Sequence, residues 1–187
     1  ALSYLYHAFG EKTQKFGLEF LKKKQPEDMK IILSMIKKDI NSPLTSSAGR
    51  LFDAVSALLG LCLESGFDAE APMKLESLVE PGVEDCYDYQ ILDDRISFIP
   101  TFKQMVDDIY KKKPKHVIST KFHNTVARVV LNMAEKARNK LGVNKVVLSG
   151  GTFQNRYLTE TTVRMLNEMN FEIFQNKLIP ANDGGIA

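Results

Sequence analysis

Apolar residues recur at helical spacing through the first 65 positions of this chain. Leu2, Tyr4, Leu5, Ala8 and Phe9 form the first stripe. Pro26 suits the first position of a helix, where its missing N–H would be unpaired anyway. Glu27 and Asp28 follow it at the positive helix end. Met29, Ile32, Leu33 and Ile36 then keep the i, i+3, i+4, i+7 pattern. Asn41-Ser42-Pro43 breaks it. Thr45, Ser46 and Ser47 offer capping hydroxyls and predict a helix over residues 51–63, ended by Ser65-Gly66. Another helix is predicted over residues 69–78, before Pro81-Gly82. Residues 87–92 and 95–99 flank Asp93-Asp94 and read as a small β-hairpin. Helical spacing returns over residues 102–112.

The second half has a sharper pattern. Phe122, Val126, Val129, Val130, Met133, Ala137 and Leu141 make one stripe of a long amphipathic helix, with Gly142 as its cap and His123 near its start. Residues 145–148 read as a short buried strand, stopped by Ser149-Gly150-Gly151. Leu158, Thr162, Met165, Leu166 and Met169 form another helical stripe, and residues 171–174 the next strand. Strand, Gly-Gly turn, helix, strand is a βαβ unit, which implies a parallel strand pair and an α/β layer. The chain therefore divides into a mainly helical part with a hairpin over 1–112 and an α/β part over 113–187. The lysine runs at 22–24 and 111–113 read as solvated helix ends.

Composition narrows the classes. The 187 residues carry 25 Lys+Arg against 23 Asp+Glu, a net charge of +2, too small a field for a strongly basic nucleic-acid protein. Every apolar run is broken well short of the ~20 residues that span a bilayer. Two distant cysteines, Cys62 and Cys86, form neither a disulfide framework nor a zinc knuckle, and fit a reducing, cytoplasmic setting. The chain begins on a helix and stops at Gly184-Gly185-Ile186-Ala187 with an apolar continuation starting. An excised piece of a longer protein is expected.

Candidate chemistry is concentrated in a few turns. In Ser149-Gly150-Gly151-Thr152-Phe153-Gln154-Asn155, glycines let a ligand approach, and the following helix start offers free N–H groups to a phosphate. A tight turn without a ligand explains the same residues. Gly49 permits close approach, and Asp53, one turn later on that face, suits a ribose diol or the helix dipole. Asp183, in Asn182-Asp183-Gly184-Gly185, is either a metal ligand or an Asx-turn residue. His7, His116 and His123 have no metal-site spacing, and His123 reads as a structural hydrogen-bonding histidine. Neither cysteine has a neighbouring His or helix-start position.

Four motifs, in order across nearly the whole chain, resemble the HypF carbamoyltransferase family of [NiFe]-hydrogenase maturation. They are Pro43-Leu-Thr-Ser-Ser-Ala-Gly49-Arg-Leu-Phe-Asp53, Phe122-His-Asn-Thr, Leu148-Ser-Gly-Gly-Thr-Phe-Gln-Asn155 and Pro180-Ala-Asn-Asp-Gly-Gly. Phe67-Asp-Ala-Glu-Ala71 is similar to a family segment that usually reads Tyr-Glu-Gly, with Ala69 departing from it. The resemblance implies one lobe of an actin/Hsp70-like ATPase fold, TsaD-like, with a largely helical insert. It implies transfer of a carbamoyl group, from carbamoyl adenylate made with carbamoyl phosphate and ATP, to the C-terminal cysteine of HypE. The product becomes the cyanide ligands of the hydrogenase iron.

By the same resemblance, Gly49, Asp53, Gly150, Gly151 and Asn155 fall on nucleotide-binding positions. Asp183 falls on a ligand to zinc or iron whose histidine co-ligands lie outside this chain, and Mg²⁺ accompanies the nucleotide. HypE and the remaining HypF domains are the implied partners, with no nucleic acid and no membrane. The chain alone is expected to be inactive in transfer, and its exposed sheet edge to favour self-association. A non-catalytic docking lobe and a phosphotransferase lobe of the same fold are the alternatives.

Overall fold

The computed structural model describes residues 1–23, 25–93, 95–182 and 184. Helix α1 (Leu2–Phe9) leads into a 3-10 turn (Gly10–Lys15), a short α2 (Glu19–Lys22), α3 (Pro26–Lys37), α4 (Ala48–Leu58) and α5 (Glu70–Glu76). A hairpin of β1 (Gln90–Leu92) and β2 (Arg95–Ser97) precedes α6 (Ile99–Tyr110) and the long α7 (Lys115–Leu141). The last elements are β3 (Lys145–Leu148), a 3-10 turn (Gly151–Gln154), α8 (Arg156–Glu168) and β4 (Glu172–Gln175). Strands β3 and β4 pair in parallel, with Val147 opposite Phe174, so the βαβ unit is present with α8 as its crossover.

Several boundaries differ from the sequence reading, each for a local reason. Helix α4 starts at Ala48, because the Ser47 hydroxyl accepts from the Arg50 amide at 3.3 Å. It stops at Leu58 rather than at 63. Gly60 takes a left-handed conformation (φ 68°), with the Leu61 amide on the Ser56 carbonyl and the Gly60 amide on the Ala57 carbonyl. That pair of bonds is a Schellman closure, so Gly60 is the stop signal and Ser65-Gly66 is not. The hairpin is shorter than predicted because helices capture its outer backbone. The Tyr87 amide donates to Thr125 Oγ1 (2.8 Å) and the Asp88 amide to Gln104 Oε1 (2.8 Å).

Helix α7 begins at Lys115, directly after Pro114, and this moves His123 from the predicted helix start to its third turn. The polar residues before it are absorbed by the helix. Thr120 Oγ1, for example, back-bonds to the His116 carbonyl at 2.8 Å.

One hydrophobic cluster joins both halves of the chain. Leu5, Phe52, Val55, Leu75, Phe102, Phe122, Leu158 and Leu166 are among its fully buried side chains. Each such side chain contributes roughly 2 kcal/mol of transfer free energy. Helix α7 is the spine: it packs against α5, α6 and α8. A buried ion cluster pins its first turns. Asp108 is bonded by Lys113 (2.8 Å), by the Tyr87 hydroxyl (3.0 Å) and by Lys121 (3.5 Å). Burial works to raise the Asp108 pKa, but these partners outweigh it and hold the carboxyl below its ordinary value. Lys113 is therefore not a plain solvated helix end; Lys111, paired with exposed Asp107, is one. Among the described residues no helix is long and apolar enough to cross a membrane.

Candidate functional site

Three stretches distant in sequence meet at one place. The 3-10 turn after β3 lies against α4, the helix that carries Gly49 and Asp53. A Cβ placed on Gly151 would lie 3.9 Å from the Cβ of Asn182, so Asn182 reaches the same turn. Asn182 there forms an Asx-type turn, its Oδ1 accepting from the Gly184 amide at 3.2 Å. Asp183, the proposed metal ligand, lies outside the described residues.

The glycines differ in what they need. Gly150 has φ 97°, so its backbone conformation requires glycine. Gly49 and Gly151 have no such φ. A Cβ on either would make only ordinary contacts, 3.6 Å to Ser47 Oγ and 3.9 Å to Asn182. Gly49 sits in the first turn of α4, where alanine is the better helix former by up to ~1 kcal/mol. Neither fold nor packing asks for these two glycines. Asp53 is partly buried, and its Oδ2 pairs with Arg50 at 3.0 Å.

The start of α8 is not free, contrary to the expectation that it would offer N–H groups to a phosphate. Glu76, at the end of α5, accepts from the Arg156 amide (2.7 Å) and the Tyr157 amide (3.2 Å). Asn155 Oδ1 accepts from the Leu158 amide at 2.8 Å. The first three donors of the helix are thus filled from within the chain. Among the described residues, the unfilled amides are one turn earlier, at Gly150, Gly151 and Thr152. The turn itself is held by the Phe153 amide on the Gly150 carbonyl (3.0 Å) and the Asn155 amide on the Thr152 carbonyl (3.2 Å).

The Asn155 side chain is engaged within the chain. It is buried and turned inward, Oδ1 capping α8 and Nδ2 donating to His123 Nε2 at 2.9 Å. His123 is fully buried, and its Nδ1 donates to the Ser119 carbonyl at 2.8 Å. Burial lowers its pKa to about 4 against the opposing backbone bond, so the ring is neutral. The ring stacks edge-on with Phe52 of α4 (5.2 Å) and Tyr157 of α8 (5.8 Å). Tyr157 in turn donates to Asn124 Oδ1 at 2.8 Å, and Asn124 holds the Val83 carbonyl at 2.7 Å. His123 is therefore the structural hydrogen-bonding histidine read from the sequence.

Sequence reasoning missed Glu76, Ser119 and Tyr157. Only the Phe122-His-Asn-Thr motif pointed toward this network; nothing in the sequence marked Glu76. Among the described residues, no group of three or more His, Cys, Asp or Glu could hold a metal ion. Both cysteines are free, Cys62 buried and Cys86 exposed.

The fold and this turn define the class: an α/β lobe of the Kae1-like type. The chain belongs to the family described as "Carbamoyltransferase, Kae1-like Domain, second subdomain", which matches residues 1–187. It is 28% identical over 198 residues to the "Probable carbamoyltransferase HypF" of Methanocaldococcus jannaschii, covering 100% of this chain and 24% of that protein. It is 33% identical over 150 residues to the "Carbamoyltransferase HypF" of Synechocystis sp., covering 78% of this chain and 19% of that protein. A crystal structure of full-length HypF in a phosphate- and nucleotide-bound form superposes with a TM-score of 0.89 at 40% identity, over 98% of this chain and 29% of that one. The chain thus spans 24% and 19% of the length of these two relatives.

Proposed function

We propose that this chain is the nucleotide-binding lobe of a HypF-type carbamoyltransferase. The observation that carries the reading is the pair of glycines that neither backbone nor packing requires, Gly49 in the first turn of α4 and Gly151 in the turn that lies against α4, together with the unfilled amides of that turn. A similar protein of known structure was crystallised with phosphate and nucleotide bound. In this reading the amides of Gly150, Gly151 and Thr152 face the phosphates of ATP or carbamoyl adenylate. Gly49 lets the nucleotide lie close to α4, and Asp53 accepts hydrogen bonds from its ribose. Asn155 acts by shaping the turn.

The reaction passes the carbamoyl group from carbamoyl adenylate to the C-terminal cysteine thiol of HypE. A C–S bond forms, the C–O bond to the phosphate breaks, AMP leaves, and the thiol proton goes to solvent. The described residues do not themselves form a metal site. Asp183 would contribute one ligand to zinc or iron, with the others supplied by the rest of the protein, and Mg²⁺ would accompany ATP. The setting is cytoplasmic.

The test is mass spectrometry of HypE after incubation with carbamoyl phosphate, ATP and a full-length protein that contains this chain. Loss of carbamoylation in the Asp53→Ala variant, with the fold intact, is expected. Full carbamoylation by that variant overturns the role given to α4. The 187-residue chain by itself is expected to transfer nothing, and carbamoylated HypE in that reaction would contradict the need for a second lobe.

A further inference from the structure

The Phe122-His123-Asn124-Thr125 motif has no direct part in the site, yet His123 is joined to it by one hydrogen bond. We propose that His123 is a positioning residue for the phosphate-facing turn, fixing which way the Asn155 amide faces and so holding the Gly150–Asn155 backbone in its ligand-ready shape. The inference rests on the nucleotide reading above.

The Ser119 carbonyl can only accept, so His123 Nδ1 must carry a hydrogen. In the neutral ring Nε2 is then an acceptor. It faces the Asn155 side chain at 2.9 Å and requires the NH₂ end there. That leaves Oδ1 to face the Leu158 amide, which is where it lies, at 2.8 Å. Reversing the amide would set NH₂ against N–H at Leu158 and oxygen against a lone pair at His123. Both contacts would be repulsive in a buried site.

The orientation of one amide is thus dictated from α7. Its consequences reach the turn at once. Asn155 is both the helix cap and the last residue of the turn, its own amide bonded to the Thr152 carbonyl. Thr159 Oγ1, one turn along α8, donates to the Phe153 carbonyl at 2.7 Å. With the carbonyls of Thr152 and Phe153 held by Asn155 and Thr159, the turn keeps the shape in which the amides of Gly151 and Thr152 are unfilled.

Two kinds of measurement test this on the 187-residue chain. The first needs no substitution: ¹⁵N NMR of the imidazole must show His123 neutral at pH 7 with hydrogen on Nδ1. Hydrogen on Nε2 overturns the proposal. The second compares His123→Phe, which removes the acceptor, with His123→Gln, which keeps one. In His123→Phe, exchange of the Asn155 and Leu158 amides should quicken about tenfold relative to amides in α6, and Mg-ATP affinity should fall about tenfold, one hydrogen bond's worth. In His123→Gln most of both effects should be recovered.

Uniform quickening throughout the chain, with no preference for the turn, would mean that His123 contributes only to global stability, and the proposal fails. Unchanged ATP affinity in His123→Phe, when the parent binds ATP, also overturns it while leaving the nucleotide reading intact. A parent chain that binds no ATP counts against the nucleotide reading. The tautomer and the local exchange then still decide whether His123 holds the turn.

Discussion

Mild acid should weaken this protein through His123 before its carboxylates matter. The ring is fully buried, and its polar neighbours, the Ser119 carbonyl and hydroxyl and the Asn155 amide, are uncharged, with Phe52 and Tyr157 packed edge-on with it. Its pKa falls from 6.5 to about 4, with burial as the main cause. The sign follows from where the proton goes. Between pH 6.5 and 4 the unfolded chain takes up a proton that the folded chain refuses, so stability falls as pH drops through that window.

The gap of about 2.5 pH units corresponds to about 3 kcal/mol in full, of which about 2 kcal/mol is lost by pH 5. Urea denaturation at pH 7.5 and pH 5 measures it. With a urea dependence of about 2–3 kcal/mol per molar, the midpoint should fall by roughly 1 M. The His123→Gln variant has no such group and retains the contributions of every other titrating residue. The fall in the parent should therefore exceed the fall in the variant by about 2 kcal/mol. Equal losses in the two proteins would refute the reasoning, because they would place the acid sensitivity elsewhere.

Three further outcomes follow from particular residues. Ala69 holds φ 60° at the cap of α5, a conformation that costs an L-residue about 1 kcal/mol, so Ala69→Gly should stabilise the chain by roughly 0.5–1 kcal/mol in the same denaturation assay; a lower midpoint would show that the strain is absent. Glu76→Ala strips the acceptor from two α8 amides and should cost about 1–2 kcal/mol, with faster exchange at Arg156 and Tyr157; unchanged exchange there would remove Glu76 from the cap. Val147 and Phe174 sit opposite each other on the uncovered face of the β3–β4 pair and are 69% and 43% exposed, so light scattering should show concentration-dependent self-association that Val147→Lys suppresses; a clean monomer at high concentration contradicts this.

Where the hydrophobic pattern was long and regular, it located the elements. The α7 stripe from Phe122 to Leu141, the β3 run and the α8 stripe all stand where periodicity placed them, but burial follows only in part. Leu141 is 67% and Val147 69% exposed, so β3 is not the buried strand its apolar run suggested, since only Leu148 of it is buried. Errors arose where side chains from elsewhere decided the backbone. The ends of the hairpin belong to Thr125 and Gln104, partners 38 and 16 residues away from the amides they take. Gly60 was legible as a stop signal, since a glycine after an apolar helix is the usual left-handed cap, but the apolar Leu61-Cys62-Leu63 beyond it masked the signal. Ala69 was legible only as a departure from a motif; its left-handed backbone explains why glycine suits that position.

The candidate site was legible in part. The glycine turn and α4 do meet, which sequence order alone could not decide, since about 100 residues separate them. The occupied start of α8 was not legible. A helix beginning after Asn155 looks open to anions in sequence, and only the fold brings the Glu76 carboxylate, 80 residues earlier, onto its amides. The inward turn of Asn155 had the same origin, a buried histidine 32 residues away. Sequence patterns report what a residue can do; which partner reaches it first is a property of the packing.

The central claim is that this lobe carries its own half of a nucleotide site, between α4 and the turn after β3. Calorimetric titration of Mg-ATP into the 187-residue chain and into its Asp53→Ala variant tests it most directly. The account predicts saturable heat in the parent and clearly weaker binding in the variant. Equal affinity in the two proteins, or no heat in either, would contradict it.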